Sequence, residues 1–291
     1  MLLKYQKKDS NFLHLAKELK YLKSSFSDKF LRVLGRDHDF TEISQGFSLA
    51  RSLGFNNLSL DLIYGIPGQN INDWKSTINQ ALKLQPEHIS MYGLTIEKNT
   101  KFDWMVTEGL MPNPDSDIAA DMYEYVEKEM YRNGYTHYEI SNWSLPGKES
   151  LHNLTYWYSQ EYIGVGAGAH SFFSGIRFWN VNSPNEYINL LEKDPLIDNN
   201  TEICRGFCAV SEIEDYDDNT RIADQFILGL RLVEGVNESI FNQSFIDLIS
   251  KKYKKEIKEL IDIGLLEITN SSIKLTKRGR LLANEVFYKF L

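Results

Sequence analysis

Between residues 41 and 96, amphipathic helical stretches alternate with short, nearly continuous apolar runs, and this alternation limits the possible folds more than any other feature. Residues 41–54 read as a helix, with Asp39 or Thr41 as its N-cap and Gly54 just past its end. Residues 57–64 follow as an apolar strand, stopped by Gly65-Ile-Pro-Gly68. A second helix spans about 72–84, and a second strand, 88–96, begins after Pro86. Apolar strands joined through helices are the pattern of parallel βα units covered on both faces. In such sheets chemistry gathers at the carboxyl ends of the strands. Asp61, inside an apolar strand, therefore stands out, because a charge there is costly unless paired or wet. It is either a ligand-site residue or a carboxylate facing a helix N-terminus or capping the loop.

Upstream, Phe12, Leu15, Leu19, Leu22, Phe26, Phe30 and Val33 recur at helical spacing, which predicts an amphipathic helix over 12–34 with a break near Ser24-Ser25. A further helix is predicted over 117–132, stopped at Asn133-Gly134. Beyond it come aromatic segments with Gly, Asn and His interleaved, at 135–143, 151–157, 162–172 and 177–180, which read more as strand and loop than as helix. Helical stripes resume near 220, and two short strands around Asn270-Ser-Ser272 follow, an arrangement like a winged helix. The expected division is an atypical amino-terminal helix at 1–23, an α/β body at 24–209 and a small helical domain at 210–291.

Composition narrows the class. With 42% hydrophobic residues, 25% charged and seven prolines, the 291-residue chain is neither disordered nor fibrous. No run approaches the roughly 18 to 20 apolar residues of a spanning helix, and the start lacks a signal-peptide core, so the cytoplasm is the expected compartment. The net charge of −8 divides into +6 over residues 1–36, +3 over 221–291 and −17 between them. An acidic body of this kind argues against DNA as a partner.

The only cysteines, Cys204 and Cys208, exclude a disulfide framework, and no second pair completes a zinc site. Gly164-Val-Gly-Ala-Gly-Ala-His170 resembles a dinucleotide fingerprint, but no helix follows it, so its glycines are expected to permit close approach of backbone or ligand. His152 and His170 lie among Tyr, Trp and Gly. Each is either a satisfied structural histidine or a ring nitrogen offered to a flat ligand as donor, acid or axial iron ligand.

Taken together, Phe30-Leu-Arg-Val-Leu-Gly-Arg-Asp-His38, Asp61-Leu-Ile-Tyr-Gly-Ile-Pro-Gly-Gln69, Pro86-Glu-His-Ile-Ser-Met-Tyr-Gly-Leu-Thr-Ile-Glu97, Tyr138-Glu-Ile-Ser-Asn142, His152-Asn-Leu-Thr-Tyr-Trp157 and Gly166-Ala-Gly-Ala-His-Ser171 resemble, in order, the radical-SAM family of oxygen-independent coproporphyrinogen III oxidases and haem chaperones. The His-Asn-x-x-Tyr-Trp stretch is similar to the chaperone branch. The resemblance runs from about residue 24 to 291. It implies an incomplete (βα) TIM-type radical-SAM barrel followed by a small α-helical, winged-helix-like domain. It also implies S-adenosylmethionine and a 4Fe-4S cluster as family cofactors.

By the same resemblance, Arg36, Asp61 and Thr95 match positions around S-adenosylmethionine. His152 matches the histidine facing haem iron, with Asn153, Tyr156, Trp157 and His170 on the haem or porphyrin side. The family's Cys-x-x-x-Cys-x-x-Cys loop has no counterpart among these residues. Gly-Gly-Gly-Thr-Pro is also missing, and Ser24 stands where a glutamine is expected. The chain is thus expected to be a fragment that binds haem or porphyrin without a cluster of its own. The alternative is an oxidase active only with a separate chain supplying the cluster strands. Haem-receiving respiratory proteins are the further partners implied. An incomplete barrel would also leave a sheet edge open beside strand 57–64.

Overall fold

Helix and strand alternate from the first described residue onward in this computed structural model, which describes residues 23–193, 208–214, 217–269 and 272–291. The chain divides into two compact units between Ser150 and Leu151. In the first unit, Lys23–Ser24 (β1) leads through Asp28–Val33 (α1) and Phe40–Ser52 (α2) to Ser59–Tyr64 (β2), then through Ile71–Lys83 (α3) to His88–Gly93 (β3). Lys101–Thr107 (α4) and Ser116–Arg132 (α5) follow, and a short pair, Thr136–Glu139 (β4) and Asn142–Ser144 (β5), completes the unit. The strands form one five-stranded sheet in the order β1-β2-β3-β5-β4. β1, β2 and β3 are parallel, whereas β5 and β4 run antiparallel. The result is an open α/β sheet rather than a closed barrel.

Local signals explain the elements. Asp39, not Thr41, caps α2: its carboxylate accepts from Glu42 N while Glu42 accepts from Asp39 N, both at 2.9 Å. Gly54 closes the helix at φ +88°, and Phe55 N donates back to Ala50 O at 3.1 Å. Asn70 and Asp73 repeat the capping box on α3. Ile43, Phe47 and Ala50 of α2, Trp74, Ile78 and Ala81 of α3, and Met122, Val126 and Met130 of α5 are buried at spacings of three and four. On β2, Leu60 and Leu62 are buried, while Asp61 and Ile63 on the opposite face are half-buried.

The helix predicted over 12–34 is corrected in its second half. Lys23–Ser24 is a strand, paired in parallel register with Asp61 and Leu62, and helix begins only at Asp28. Serines are weak helix formers, and an adjacent strand offers the backbone groups another partner. The sheet edge beside β2 is accordingly paired at that point. The rest of that helix, and the atypical helix expected over 1–23 up to residue 22, lie outside the described residues.

The second unit opens with Leu151–Trp157 (α6), followed by His170–Phe173 (β6), Ile176–Asn180 (β7), Pro184–Lys193 (α7), Val210–Glu214 (β8) and Asp218–Leu230 (α8). Strands β6-β7-β8 make an antiparallel sheet. Residues 151–157, read from the sequence as strand or loop, are helical. Their aromatic residues favour strands only where a neighbouring strand and face are available, and tertiary packing overrides that preference. Val236–Asn237 (β9), Gln243–Lys252 (α9), Lys254–Asp262 (α10), Leu266–Thr269 (β10), Ser272–Leu275 (β11), Lys277–Leu281 (α11) and Ala283–Phe287 (α12) complete the chain. Phe226, Leu230, Ile249, Leu260, Ile273 and Val286 form its core. The β10–β11 hairpin among helices matches the winged-helix-like end read from the sequence. No helix among the described residues is long and apolar enough to cross a membrane.

Candidate functional site

One face of the first unit's sheet is polar. Register places Asp61 of β2 beside Ser90 of β3, Ser90 beside Asn142 of β5, and Asn142 beside Glu139 of β4. Ser90, Asn142 and Glu139 are all buried. Glu139 accepts from Ser141 N at 3.0 Å and from the Asn142 side-chain amide. Burial raises the Tyr92 hydroxyl above its usual range, bonds with Ser90 and Asn142 work against that rise, and the Asp61 and Glu139 charges add to it. One row toward the start of the strands, His88 bridges Ser59 Oγ through Nδ1 and the Tyr138 hydroxyl through Nε2, each at 2.8 Å. Burial lowers the His88 pKa, with Asp61 and Glu149 partly opposing it, so its ring is neutral at neutral pH.

Of the positions read as facing S-adenosylmethionine, Asp61 lies in mid-strand on this polar face. Thr95 is exposed just past the carboxyl end of neighbouring β3. Arg36 is exposed in the turn after α1, its backbone N–H bonded to Leu31 O at 2.9 Å. Asp61 thus lies within one strand of a parallel pair and Thr95 just beyond the end of the other.

The second unit gathers the other candidates. Because residues 151–157 are helical, His152 and Tyr156 stand one turn apart. The Tyr156 hydroxyl lies 3.2 Å from His152 Nε2, and the two rings meet edge to face at 4.9 Å. Tyr156 also meets Tyr162 edge to face at 4.7 Å. Beside them is a cavity of about 270 Å³, walled by Tyr156 and Trp157 of α6, Tyr162 ahead of β6, Phe172 and Arg177 of the β6–β7 hairpin, and Arg221, Gln225 and Leu228 of α8. The Arg231 guanidinium sits over the Trp157 ring, 4.3 Å from its centroid. Burial pushes the Tyr162 hydroxyl pKa up, with Arg177 opposing and Tyr156 adding, so it remains a donor at neutral pH.

His170 does not line the cavity. It is exposed on β6 and stacks on its cross-strand partner Trp179 at 5.2 Å. Alternation along β6 and β7 nevertheless puts His170 and Trp179 on the face shared by Phe172 and Arg177, which do line it. Asn153 is half-buried in α6. The glycine loop is a scaffold: a side chain at Gly164 would overlap the His170 carbonyl, and Asn180 Nδ2 donates to Gly166 O at 2.9 Å. Gly164 thus serves close backbone approach, whereas Gly166 and Gly168 hold left-handed backbone at φ +112° and +69°.

Sequence reading missed Ser159, Tyr162, Phe172, Arg177, Arg221 and Gln225. Tyr162 and Phe172 belong to the aromatic texture already noticed, but nothing local marks Arg221 and Gln225 as neighbours of α6. Among the described residues, no three His, Cys, Asp or Glu are grouped to hold a metal ion. Cys208 is half-buried and Cys204 lies outside the described residues. A cluster held by three thiolates does not fit a sequence with two cysteines.

Residues 216–282 match the family described as HemN C-terminal domain. The chain is 36% identical over 267 residues to the heme chaperone HemW of Bacillus subtilis, covering 92% of this chain and 67% of that protein. The same figures hold for the heme chaperone HemW of Lactococcus lactis. Among solved structures, the coproporphyrinogen III oxidase HemN of Escherichia coli, described as a radical SAM enzyme, superposes with a TM-score of 0.70 at 17% identity, over 98% of this chain and 67% of that one. At that identity the superposition establishes a shared fold.

Proposed function

The chain belongs to the HemW family of haem chaperones, and from that premise we propose that it binds haem through the second unit, with His152 presenting its imidazole to the iron. The observation that carries this reading is the placement of His152 at the rim of an aromatic cavity through its contact with Tyr156. A neutral imidazole needs one nitrogen free of its proton to ligate, and a hydrogen bond from a neighbouring side chain selects which. The Tyr156 hydroxyl lies next to Nε2, so ligation through Nε2 requires that hydroxyl to turn aside, whereas Nδ1 ligation leaves the contact in place. Aromatic walls shield a bound macrocycle from water, which is what holding a reactive cargo for later transfer needs. His170 and Trp179 extend the same face.

In the first unit, Asp61, Arg36 and Thr95 would hold S-adenosylmethionine, which supplies radical chemistry only with a reduced cluster. The polar face around Asp61 and Ser90 is compatible with hydroxyl-rich ligands.

Titrating the purified chain with haem tests the proposal. A shifted Soret band is expected, and His152→Ala should lower affinity at least about ten-fold while removing the shift. No Soret shift in the parent chain, or one unchanged in His152→Ala, would overturn it.

A further inference from the structure

The cavity between α6, the β6–β7 hairpin and α8 carries groups that iron ligation at His152 does not use. Trp157 and Ser159 line it, and Trp157 Nε1 and Ser159 Oγ, shielded from solvent, have no hydrogen-bond partner among the described residues. A buried donor left unmet costs roughly 1–3 kcal/mol, so two beside one cavity mark a place where a ligand acceptor would be welcome. Ser159 is also strained. It closes α6 at φ +52°, with its own N–H bonded to Tyr156 O and Gln160 N–H bonded to Thr155 O, both at 2.9 Å. That position normally takes glycine, and a side chain there costs about 1 kcal/mol.

The two arginines of the wall differ. Arg177 lies between Asp224 at 3.1 Å and Glu214 at 3.4 Å, so its charge is already matched. Arg221 pairs at 2.6 Å with Asp218, whose side chain is 83% exposed. An ion pair so open to water contributes little, and the Arg221 guanidinium can exchange that partner for a ligand at small cost. A guanidinium, an indole N–H, a hydroxyl and the Gln225 amide, set among aromatic rings, have the chemistry to recognise a carboxylate carried by a planar apolar ligand. At about 270 Å³, the cavity is smaller than the sites that enclose whole drug-sized ligands, and so takes an edge of a macrocycle.

We propose that this cavity is a carboxylate subsite that receives one acid-bearing edge of a tetrapyrrole, with Arg221 as ionic partner and Trp157 Nε1 and Ser159 Oγ as hydrogen-bonding partners. The inference rests on the haem-binding reading above and deepens it. Recognition is of the acid edge and independent of the metal, so metal-free dicarboxylic porphyrins bind and their esters bind poorly.

The full chain is titrated with haem, protoporphyrin IX and protoporphyrin IX dimethyl ester, followed by absorbance and by tryptophan quenching. The parent should bind the diacid about ten-fold more tightly than the diester. Arg221→Gln should remove that preference by weakening the diacid alone, and Arg221→Lys should recover part of it. If Arg221→Gln does not keep the parent's circular dichroism, Trp157→Phe, which deletes the N–H and keeps a ring, provides the same reading. Equal affinity of the parent for diacid and diester overturns the subsite, as does an Arg221→Gln loss equal for both. Should haem still bind through His152 in that case, the haem reading stands and only the subsite falls. Should neither haem nor porphyrin bind, both fall. If the ester preference is present but His152→Ala leaves haem binding intact, the subsite stands and the ligation fails.

Discussion

His88 and His152 are the same residue type put to opposite uses in the two units. His88 is buried in a strand, with both ring nitrogens engaged by Ser59 and Tyr138. His152 is exposed on a short helix, with Nε2 beside one hydroxyl that also borders a cavity. The first environment penalises charge and leaves no nitrogen for a ligand. The second leaves the ring accessible, in contact with an aromatic residue that lines the cavity. Burial and the count of engaged nitrogens, rather than neighbouring residue types in the sequence, separate a structural histidine from a candidate ligand.

That contrast can be broken experimentally. The largest effect is expected at Gly164, in the loop that carries β6: Gly164→Ala forces a side chain into the His170 carbonyl and should cost about 3 kcal/mol, read by chemical denaturation. A loss within experimental error would mean the loop is not the scaffold of the second unit. Next, His88→Ala should cost about 2 kcal/mol of stability, since Ser59 and Tyr138 lose their bridge, and should leave haem affinity unchanged. His152→Ala should do the reverse, lowering affinity with a stability change under about 0.5 kcal/mol. If either variant moves both readouts, the two histidines are not separable in the way described.

Ser159→Gly comes third. Relief of the left-handed backbone should stabilise the chain by about 1 kcal/mol, while loss of the hydroxyl weakens diacid porphyrin binding a few-fold. Stabilisation with unchanged binding would remove Ser159 from the subsite. The smallest effect is a pH dependence. The folded-state pKa of His88 is below its ordinary 6.5, so the unfolded chain takes up the proton more readily. Stability from this group is complete above 6.5 and declines as pH falls below it, because the unfolded state then binds more protons. Melting temperature followed from about pH 8 to pH 5 should fall more steeply for the parent than for His88→Gln. Equal slopes would assign the acid sensitivity elsewhere.

Much of the fold was legible because its signals are local. The capping box at Asp39, the glycine at 54, the three-and-four spacing of Ile43, Phe47 and Ala50, and the apolar run around Leu60 and Leu62 each act within one turn or one strand. The reading failed where a distant neighbour decided the outcome. Lys23–Ser24 became a strand because β2 lies beside it, and 151–157 became a helix despite its aromatic content. The candidate site divides along the same line. His152, Tyr156 and Trp157 stand in one motif, and Asp61 was conspicuous as a charge in an apolar strand. Arg221 and Gln225 lie more than sixty residues further along on an ordinary amphipathic helix, with no local sign that they border the same cavity.

By itself, then, the sequence determined the order of the parallel βα units, the winged-helix-like end, the family, and, through its two cysteines, that three cluster thiolates are not among its residues. Local capping, periodicity and composition suffice for those. Only the tertiary structure decided that β4 and β5 turn antiparallel, that both nitrogens of His88 are engaged while His152 stays exposed beside Tyr156, and that Ser159, Trp157 and Arg221 line one cavity. The physical reason is that hydrogen-bond satisfaction, desolvation and cavity walls depend on which distant residues the backbone brings within a few ångströms, and no short-range pattern records that.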